Sequence, residues 1–423
     1  MPCSDQVLSI KTSVLYNCFS APDDSLIRAG ISSFFEVIMS DSNVKKDSVI
    51  SRAREIIDQY DGREIRIMEV CGTHTHEIFR LGIRQILPPS IHLISGPGCP
   101  VCVTPVSFID EAVLLAMEKN ATICTFGDLV RVPGSAKYGV KEEGKTADVP
   151  SFEKENIGTA GSPLFPASLA AARAAGARIQ VVYAPQDAVA YAKEHPQEQV
   201  VFLSVGFETT TPSVCLAVKQ AVEEGLTNFS ILTANKTMPA AYAAMKDSTD
   251  AFLYPGHVHA ITGTAVCEEL AAEGTSGVVA GFTAKELLTA IAVIVKNIQK
   301  GEPFFENCYP RVVRREGSPR AQRLVEEMME PCDARWRGIG VLQMSGLQLR
   351  PQYADYDARH KFGLPQIEGQ ENPACRCGEV LQGKCLPSDC RVFGTGCTPE
   401  HPVGACMVSG EGACSAFYLY GKA

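Results

Sequence analysis

The sequence has no apolar run long enough to span a bilayer and no excess of positive charge. Its longest apolar run, Leu287–Val295, is about half of the roughly 18 residues that a membrane-spanning helix needs. The 423 residues carry a net charge of -9, so no general basic field is available for nucleic acid or an anionic membrane surface. We therefore expect neither a membrane span nor a nucleic-acid partner.

The N-terminus also lacks the pattern of a secretory signal, and the chain lacks two common nucleotide-binding motifs. Asp5, Lys11, Asp23 and Asp24 interrupt the stretch in which a signal peptide would carry its apolar core. Neither G-x-x-x-x-G-K-[ST] nor G-x-G-x-x-G occurs. We therefore expect a cytoplasmic protein, and nucleotide binding through either motif has no support.

Cysteine, by contrast, is abundant. The chain has 17 cysteines, and in a reducing compartment such residues more often bind metal or do redox chemistry than form structural disulfides. Seven of them lie close together near the end of the sequence: Cys375, Cys377, Cys385, Cys390, Cys397, Cys406 and Cys414.

Between residues 63 and 300 the sequence repeats short β-branched runs, turns rich in Gly, Pro or Thr, and Ala-rich helical stretches. This alternation is typical of βα units and predicts an α/β fold with two open, mainly parallel sheets. The runs predicted as strands are Glu64–Val70, Ile91–Ser95, Thr122–Phe126, Gln180–Ala184, Val200–Val205, Phe229–Thr233, Ala251–Tyr254 and Gly277–Ala280.

We divide the chain into a poorly patterned extension and three domains. The extension covers residues 1–48, and two α/β domains cover 49–165 and 166–300, with Val140–Ser162 as the linker between the two sets of strands. Residues 301–423 begin with a helix over Ser318–Met329 and then become rich in Pro, Gly and Cys. Such a segment cannot build an apolar core unaided and needs a cross-link. In the cytosol we expect that cross-link to be a bound metal.

Cys71 directly follows the first predicted strand, within C-G-T-H-T-H-E. Ligands of open α/β sheets bind beyond the carboxyl ends of strands. Thr73 is expected to cap a helix over His74–Leu87, whose positive end would favour the Cys71 thiolate as a metal ligand. Cys71, His74 and His76 are thus three potential ligands within six residues; the alternative is an inert buried cysteine with two solvated histidines.

Cys99 and Cys102 form a C-x-x-C pair after the second predicted strand. Such a pair can close a disulfide or share a metal. Because the chain has no second C-x-x-C pair, a redox dithiol is favoured over a structural zinc site.

Three further loops place polar side chains after predicted strands: Asp128, Glu208 and His257. Each could line a cleft, although loops rich in Gly and Pro can also be simple turns. The tail cysteines supply more than the four thiolates that a [4Fe–4S] cluster requires, with zinc as the alternative.

Taken together, the motifs resemble those of the HypD family of [NiFe]-hydrogenase maturation factors, from about Val49 to the C-terminus. They are C-G-T-H-T-H-E, G-P-G-C-P-V-C, T-F-G-D-L-V-R-V-P-G, G-F-E-T-T-T-P, P-G-H-V-H and the tail pattern C-R-C-G…C-T-P-E…P-V-G-A-C-M-V-S…E-G-A-C-S-A. The resemblance implies a redox-active scaffold on which the Fe(CN)₂CO unit is built. The implied partners are the small chaperone HypC, the cyanide donor HypE with HypF upstream, and indirectly the hydrogenase large subunit.

The resemblance also implies roles for individual residues. Cys71 would hold the iron, with Cys99 and Cys102 as a redox pair close enough to share it. His74, Asp128, Glu208 and His257 would line the cleft and take part in catalysis. The [4Fe–4S] cluster ligands carried over are Cys375, Cys390, Cys397 and Cys414, and spacing leaves Cys377 and Cys406 as possible substitutes.

Two alternatives to the assembly scaffold stay open on the sequence. One is a cluster-dependent thiol–disulfide oxidoreductase, and the other is a zinc-stabilised binding protein without enzymatic activity. The first 45 residues are longer than the family pattern requires, so we expect either a start at Met39 or an appended segment.

Overall fold

The computed structural model describes residues 46–135 and 166–421, with side chains from residue 49 onward. The expected extension over residues 1–48 and the expected linker Val140–Ser162 therefore lie almost wholly outside the described residues. No helix in the described ranges is long and apolar enough to cross a membrane.

Sheet A has five parallel strands in the order β2-β1-β7-β8-β9. Short runs rich in Ile, Val and Leu form them, and β7 and β8 are buried along their whole length, as is typical of parallel sheets covered on both faces. The strands are β1 Ile65–Glu69, β2 Ile91–Ser95, β7 Ala251–Pro255, β8 Gly277–Ala280 and β9 Phe305–Asn307.

Sheet B has four parallel strands in the order β4-β3-β5-β6. Strands β3, β5 and β6 are fully buried. The strands are β3 Thr122–Thr125, β4 Ile179–Val181, β5 Val200–Ser204 and β6 Phe229–Thr233. Two open parallel sheets, and with them the predicted α/β class, are thus confirmed.

The sheets do not follow the predicted division of the chain. β3 precedes the expected linker but pairs with β4 and β5, whereas β7 and β8 come late in the sequence and extend the sheet begun by β1 and β2. The prediction that one sheet forms before the linker and the other after it is wrong. The alternation of strand and helix patterns in the sequence predicts the individual elements. Which sheet a strand joins depends instead on its pairing with strands that are distant in the sequence.

Helices connect successive strands along the chain and pack against both sheets. One prediction among them is wrong: the helix after β1 begins at Gly72, not at His74, and it ends at Arg80 because Gly82 adopts a left-handed backbone (φ 65°) that starts a separate turn. The helices are α1 Lys46–Asp58, α2 Gly72–Arg80, α3 Ile83–Ile86, α4 Pro100–Val103, α5 Val106–Met117, α6 Leu169–Ala174, α7 Pro185–Glu194, α8 Thr211–Glu223, α9 Pro239–Met245, α10 Gly256–Thr262, α11 Ala265–Ala272, α12 Ala284–Ile298, α13 Pro319–Met328, α14 Ala358–Phe362, α15 Cys377–Leu381, α16 Ala405–Val408 and α17 Ala413–Tyr420.

The region after residue 300 is less independent and more regular than its composition indicates. Its first strand, β9, completes sheet A, and α13 matches the predicted helix closely. A long antiparallel hairpin, β10 Met329–Trp336 and β11 Gly340–Leu349, follows and has no counterpart in the prediction. After the hairpin the described chain has no further strand, and the Cys-rich tail, defined here as residues 375–421, is built from short helices and turns with one isolated β-bridge.

Candidate functional site

Three predicted site residues lie at the carboxyl edge of sheet A. β2, β1, β7 and β8 are neighbours and run in parallel, so their carboxyl ends share one edge. The chain leaves β1 toward Cys71, β2 toward Cys99 and β7 toward His257. The sheet topology therefore gathers residues that are far apart in the sequence.

Cys71 and the Cys99 turn are in direct backbone contact. The N–H of Gly72 donates to the carbonyl of Gly98 at 3.0 Å. A Cβ atom on Gly98 would lie 2.1 Å from the nitrogen of Cys71 and 2.3 Å from its Cα, so only glycine permits this approach. The glycine before Cys99 thus places the C-x-x-C turn against the backbone of Cys71.

Cys71 is buried and caps helix α2 through its backbone position, without a side-chain hydrogen bond. Burial and the nearby Glu411 carboxylate raise the pKa of Cys71 to about 12, although the N–H groups of His74 and Thr73 act in the opposite direction. The helix end thus favours the thiolate, as expected, but in the metal-free thiol burial outweighs it. The expected role of Cys71 as a metal ligand stays a prediction. Thr73 is not the cap, because its hydroxyl donates to Glu411 Oε1 at 2.7 Å.

Cys99 and Cys102 form a disulfide in this structure. Both are buried, and Cys99 caps helix α4 by accepting a hydrogen bond at Sγ from the N–H of Cys102 at 3.1 Å. Pro100 at the first helical position and this amide-to-sulfur bond hold the two sulfurs on the same side of a one-turn helix. Metal binding by this pair would require the disulfide to be reduced first.

The histidines form contacts of their own. The ring of Phe282 contacts two of them: it stacks on His257 at a centroid distance of 3.9 Å and is tilted against His74 at 4.7 Å. His74 Nε2 bonds the carbonyl of Gly281 at 3.0 Å, Nδ1 has no hydrogen-bond partner, and burial lowers the pKa of His74 to about 4. His76 instead bonds the carbonyl of Gly410 at 3.0 Å.

Cys71, His74 and His76 are therefore not brought together as one ligand set. Across residues 46–135 and 166–421, no three His, Cys, Asp or Glu side chains have the arrangement needed to hold a single metal ion. Iron binding by Cys71, alone or with Cys99 and Cys102, stays a prediction.

The two predicted carboxylates lie at the carboxyl edge of sheet B. Asp128 accepts a hydrogen bond from the hydroxyl of Ser409 at 3.0 Å, which connects this edge to the Cys-rich tail. Glu208 is buried, with Oε1 accepting from the N–H of Met238 at 2.8 Å and Oε2 without a partner. Burial raises the pKa of Glu208 to about 7.

The Cys-rich tail packs against the helix that begins at Cys71. The rings of Phe79 on α2 and Phe417 on α17 meet edge to face at 5.6 Å, and His76 and Tyr420 do so at 5.3 Å. Together with the hydrogen bonds to Glu411 and Gly410, these contacts attach the tail to the element that carries Cys71.

Six of the seven tail cysteines line one narrow cavity. The Sγ atoms of Cys377 and Cys406 are 2.7 Å apart, and hydrogen bonds from neighbouring thiols lower the pKa of Cys377. Cys385 lies elsewhere, in a larger cavity beside β2. The six cysteines are Cys375, Cys377, Cys390, Cys397, Cys406 and Cys414.

This donor set fits an iron–sulfur cluster. Thiolates are the ligands that such clusters take, and four of them suffice. Cys397 Sγ already accepts a hydrogen bond from the N–H of Val403 at 3.3 Å, of the kind that tunes cluster sulfur. Gly404 leaves room for Cys375, because a Cβ there would lie 2.5 Å from its Sγ.

The disulfide lies against the tail. Helix α4, which carries Cys102, packs on helix α16, which carries Cys406. Both disulfide cysteines belong to the same hydrophobic cluster of buried residues as Cys377, Cys397, Cys406 and Cys414. The predicted redox pair therefore shares one core with two of the predicted cluster ligands, Cys397 and Cys414, and with the alternatives Cys377 and Cys406.

Sequence comparisons with known proteins show which family the chain belongs to. The sequence matches the family described as "HypD: Hydrogenase formation hypA family" over residues 46–154 and 159–421. The chain belongs to the HypD family. It is 41% identical to "Hydrogenase maturation factor HypD" of Rhizobium leguminosarum bv. viciae over 88% of this chain and 92% of that protein.

Other relatives are similar over comparable lengths. The chain is 38% identical to "Hydrogenase expression/formation protein HupD" of Azotobacter chroococcum mcd 1, over 88% of this chain and 93% of that protein. It is 39% identical to "Hydrogenase maturation factor HypD" of Escherichia coli K12, over 85% and 90%. The HypD match thus includes both sheets and the Cys-rich tail.

Two residues of this HypD-family site were not assigned from the sequence. Glu411 contacts the helix of Cys71, and its only sequence signal is a carboxylate three positions before Cys414. Arg337, at the tip of the β10–β11 hairpin, is buried and donates from N to Val103 O at 2.8 Å and from Nε to Thr104 O at 2.9 Å. It fixes the segment that follows the disulfide, and nothing local in its sequence predicts that contact.

Proposed function

We propose that this chain is a maturation factor for [NiFe] hydrogenases that acts in the cytoplasm. It would serve as an iron–sulfur scaffold on which the Fe(CN)₂CO unit is assembled together with a HypC-type chaperone. Cyanide would come from HypE, with HypF upstream, and the hydrogenase large subunit would receive the product. The relatives named as hydrogenase maturation factors support this proposal.

The observation that carries the proposal is the contact between Cys71 and the C-x-x-C turn. The approach of Gly98 to the Cys71 backbone holds an isolated buried thiol beside a pair that can be oxidised or reduced. A metal-binding thiol and a redox pair at one sheet edge suit a reaction in which an iron cargo acquires ligands and needs electrons.

In this proposal Cys71 binds the iron as cargo, and the HypC-type partner supplies a second thiolate. Burial makes a free thiolate at Cys71 costly, and the positive charge of iron would offset that cost. Glu411, whose carboxylate lies near Cys71 and accepts from Thr73, adds negative charge that favours a cation at this place.

The Cys99–Cys102 pair would act as the redox partner. Reduction adds two electrons and two protons to the disulfide and gives two thiols, and oxidation returns them. A [4Fe–4S] cluster, held by Cys375, Cys390, Cys397 and Cys414 with Cys377 and Cys406 as alternatives, would supply electrons one at a time.

The remaining predicted residues would shape the cleft. Glu208, with a pKa of about 7, can give or take a proton near neutral pH. His74 and His257, which both contact Phe282, would form one wall. Asp128 holds Ser409 and so positions the turn that carries Glu411.

A cluster-dependent thiol–disulfide oxidoreductase is the second candidate, and the contact of the disulfide with the tail core favours it. That activity has no use for an iron-binding thiol. A Cys71→Ala variant would then keep its reductase activity, whereas the assembly scaffold would lose its function.

The deciding experiment is anaerobic copurification of the chain with a HypC-type partner, followed by infrared spectroscopy. We expect brown protein and bands of cyanide and carbon monoxide bound to iron. Cys71→Ala should abolish the bands while keeping the brown colour. The matched control is Cys124→Ala, which removes an equally buried thiol in strand β3 and should keep both signals. Colourless protein with stoichiometric zinc would contradict the proposal.

A further inference from the structure

A second cavity, of about 650 Å³, opens at the carboxyl end of strand β6 in sheet B. The segment after helix α4, the β10–β11 hairpin and residues 357–371 form its walls. Its volume is that of a small-molecule site, and carboxyl ends of parallel strands are where such sites form. Neither Cys71, the disulfide nor the tail cysteines line it, so it is separate from the site proposed above.

Lys236 is the unusual residue of this cavity. It is 3% exposed, and none of the ion pairs in the described part of the chain includes it. The hydrogen bond recorded for its ammonium is a long one, 3.4 Å to the carbonyl of Ala234. Burial and the nearby Arg359 lower the pKa of Lys236 to about 7. A buried ammonium without a counter-charge is costly, and a bound anion would supply that charge.

Arg359 lies beside Lys236 in the same cavity, but its charge is already balanced. Its guanidinium donates to Glu111, with Nη2 to Oε2 at 2.7 Å, and Nη1 donates to the carbonyl of Thr233 at 2.9 Å. Glu111 thus neutralises Arg359 and holds it in place. Lys236, in contrast, has no carboxylate partner among the ion pairs of the described residues. Its Nζ lies over the ring of Trp336, 5.8 Å from the ring centroid, a contact that brings no full negative charge.

The other carboxylates at the cavity do not neutralise Lys236. Asp357 accepts from the backbone N–H of Arg359 at 2.8 Å, and Asp333 accepts from that of Met344 at 3.0 Å. Glu368 and Glu371 are exposed. Acidic groups toward solvent oppose a long polyanion, so the charge distribution favours a small anionic group.

We propose that this cavity binds a small oxyanion, a carboxylate or phosphate group of a small molecule, with Lys236 as the residue that holds it. The proposal is independent of iron binding at Cys71, since it rests on a different cavity. Lys236 supplies the charge, and Arg359 and Glu111 form the fixed wall beside it.

The test measures how fast Lys236 reacts with an amine-specific reagent, by mass spectrometry of the full chain. Inorganic phosphate and acetate are the probes, with chloride at equal ionic strength as the reference. A bound anion should slow labelling of Lys236 by roughly tenfold at about ten times its dissociation constant. Lys219, exposed and paired with Glu327 at 3.0 Å, should react equally in all three salts.

The two probes separate the possible ligands. Protection by phosphate alone identifies a phosphate group, and protection by acetate alone identifies a carboxylate. Equal labelling in all three salts, or equal protection of Lys219, would overturn the proposal.

Variants give an independent readout by calorimetry. Lys236→Met should lose the heat of binding of the protecting anion, whereas Lys236→Arg, which keeps the charge, and Lys219→Met should retain it. Binding that survives in Lys236→Met would contradict the assignment. Because labelling is measured on the unaltered chain, poor folding of one variant leaves the test intact.

Discussion

The carboxyl edge of sheet A and the Cys-rich tail both present cysteines, but they hold them in different ways. At the sheet edge, strands buried in the core fix Cys71 and Cys99, and backbone contacts such as that of Gly98 set their spacing. In the tail, six thiols surround a cavity: Cys377, Cys406 and Cys414 lie on helices of four to eight residues, and Cys375, Cys390 and Cys397 lie outside helices. The strands of sheet A hold their cysteines in place without a ligand. We expect the tail cysteines to depend on a bound group to fix their positions.

This difference has an energetic cause. Strands such as β7 and β8 bury apolar side chains along their whole length, which stabilises them without any ligand. Helices as short as α15 and α16 are marginal on their own, because nucleation costs more than one turn returns. The tail should therefore depend on what its thiols bind.

The largest expected effect is that of Cys414→Ala, a variant of a proposed cluster ligand. We expect loss of the brown colour and rapid amide exchange over residues 375–421, since a bound cluster contributes folding energy to the segment that holds it. The strands of sheet A should keep their protection. Hydrogen exchange by mass spectrometry, on anaerobically prepared protein, measures both regions at once.

Cys215→Ala is the matched control for that experiment. Cys215 is fully buried on helix α8, within a separate hydrophobic cluster. Its removal should leave the exchange of the tail unchanged. Equal loss of protection in sheet A and tail after Cys414→Ala would mean that the two regions do not differ as described.

Acid should destabilise the carboxyl edge of sheet A rather than the Cys-rich tail. His259 on helix α10 is buried, bonds Gly263 O and Tyr242 Oη, and has its pKa lowered to about 4 by burial. Below its ordinary pKa near 6.5 the unfolded chain binds a proton that the folded chain refuses, so stability falls as pH falls. From pH 6.5 to 5 the loss is on the order of 2 kcal/mol for this residue.

His259→Gln should therefore flatten the dependence of unfolding free energy on pH, measured by denaturant titration between pH 7 and 5. The comparison in the tail is Cys385→Ser, which replaces a partly exposed side chain without an imidazole and should leave the dependence unchanged. An unchanged slope in His259→Gln would show that this imidazole does not resist protonation.

Gly98→Ala should have an effect on stability of similar size, together with a specific effect on the site. The new Cβ would overlap the Cys71 backbone. Overpacking of this kind typically lowers the free energy of unfolding by about 1–3 kcal/mol. We expect the C-x-x-C turn to move away from Cys71 and the infrared bands of bound iron to weaken while the tail keeps its colour. The same loss of stability without a change in the infrared bands would show that the position of the C-x-x-C turn does not affect iron binding.

Features set by residues close together in the sequence could be predicted, and features set by residues far apart in the sequence could not. All eight predicted strands are present within a few residues, because β-branched runs and turns act locally. Membership of β3 in sheet B, and the contact of Glu411 with Thr73, depend on residues far apart in the chain and were not predicted. The raised pKa of the Cys71 thiol was not predicted, since a helix end is visible in the sequence and burial beside Glu411 is not.

The smallest expected effect, that of Cys385→Ser, asks whether the tail depends on the number of its cysteines or on their placement. Cys385 is partly exposed and lines the cavity beside β2, away from the other six. If placement decides, the variant keeps its colour and its unfolding free energy stays within about 0.5 kcal/mol of the parent. The matched variant is Cys390→Ser, at a partly exposed cysteine that lines the cavity and should lose the colour. Loss of colour in Cys385→Ser would mean that the tail rearranges when it binds its cluster, and the contrast with the fixed sheet edge would then be sharper still.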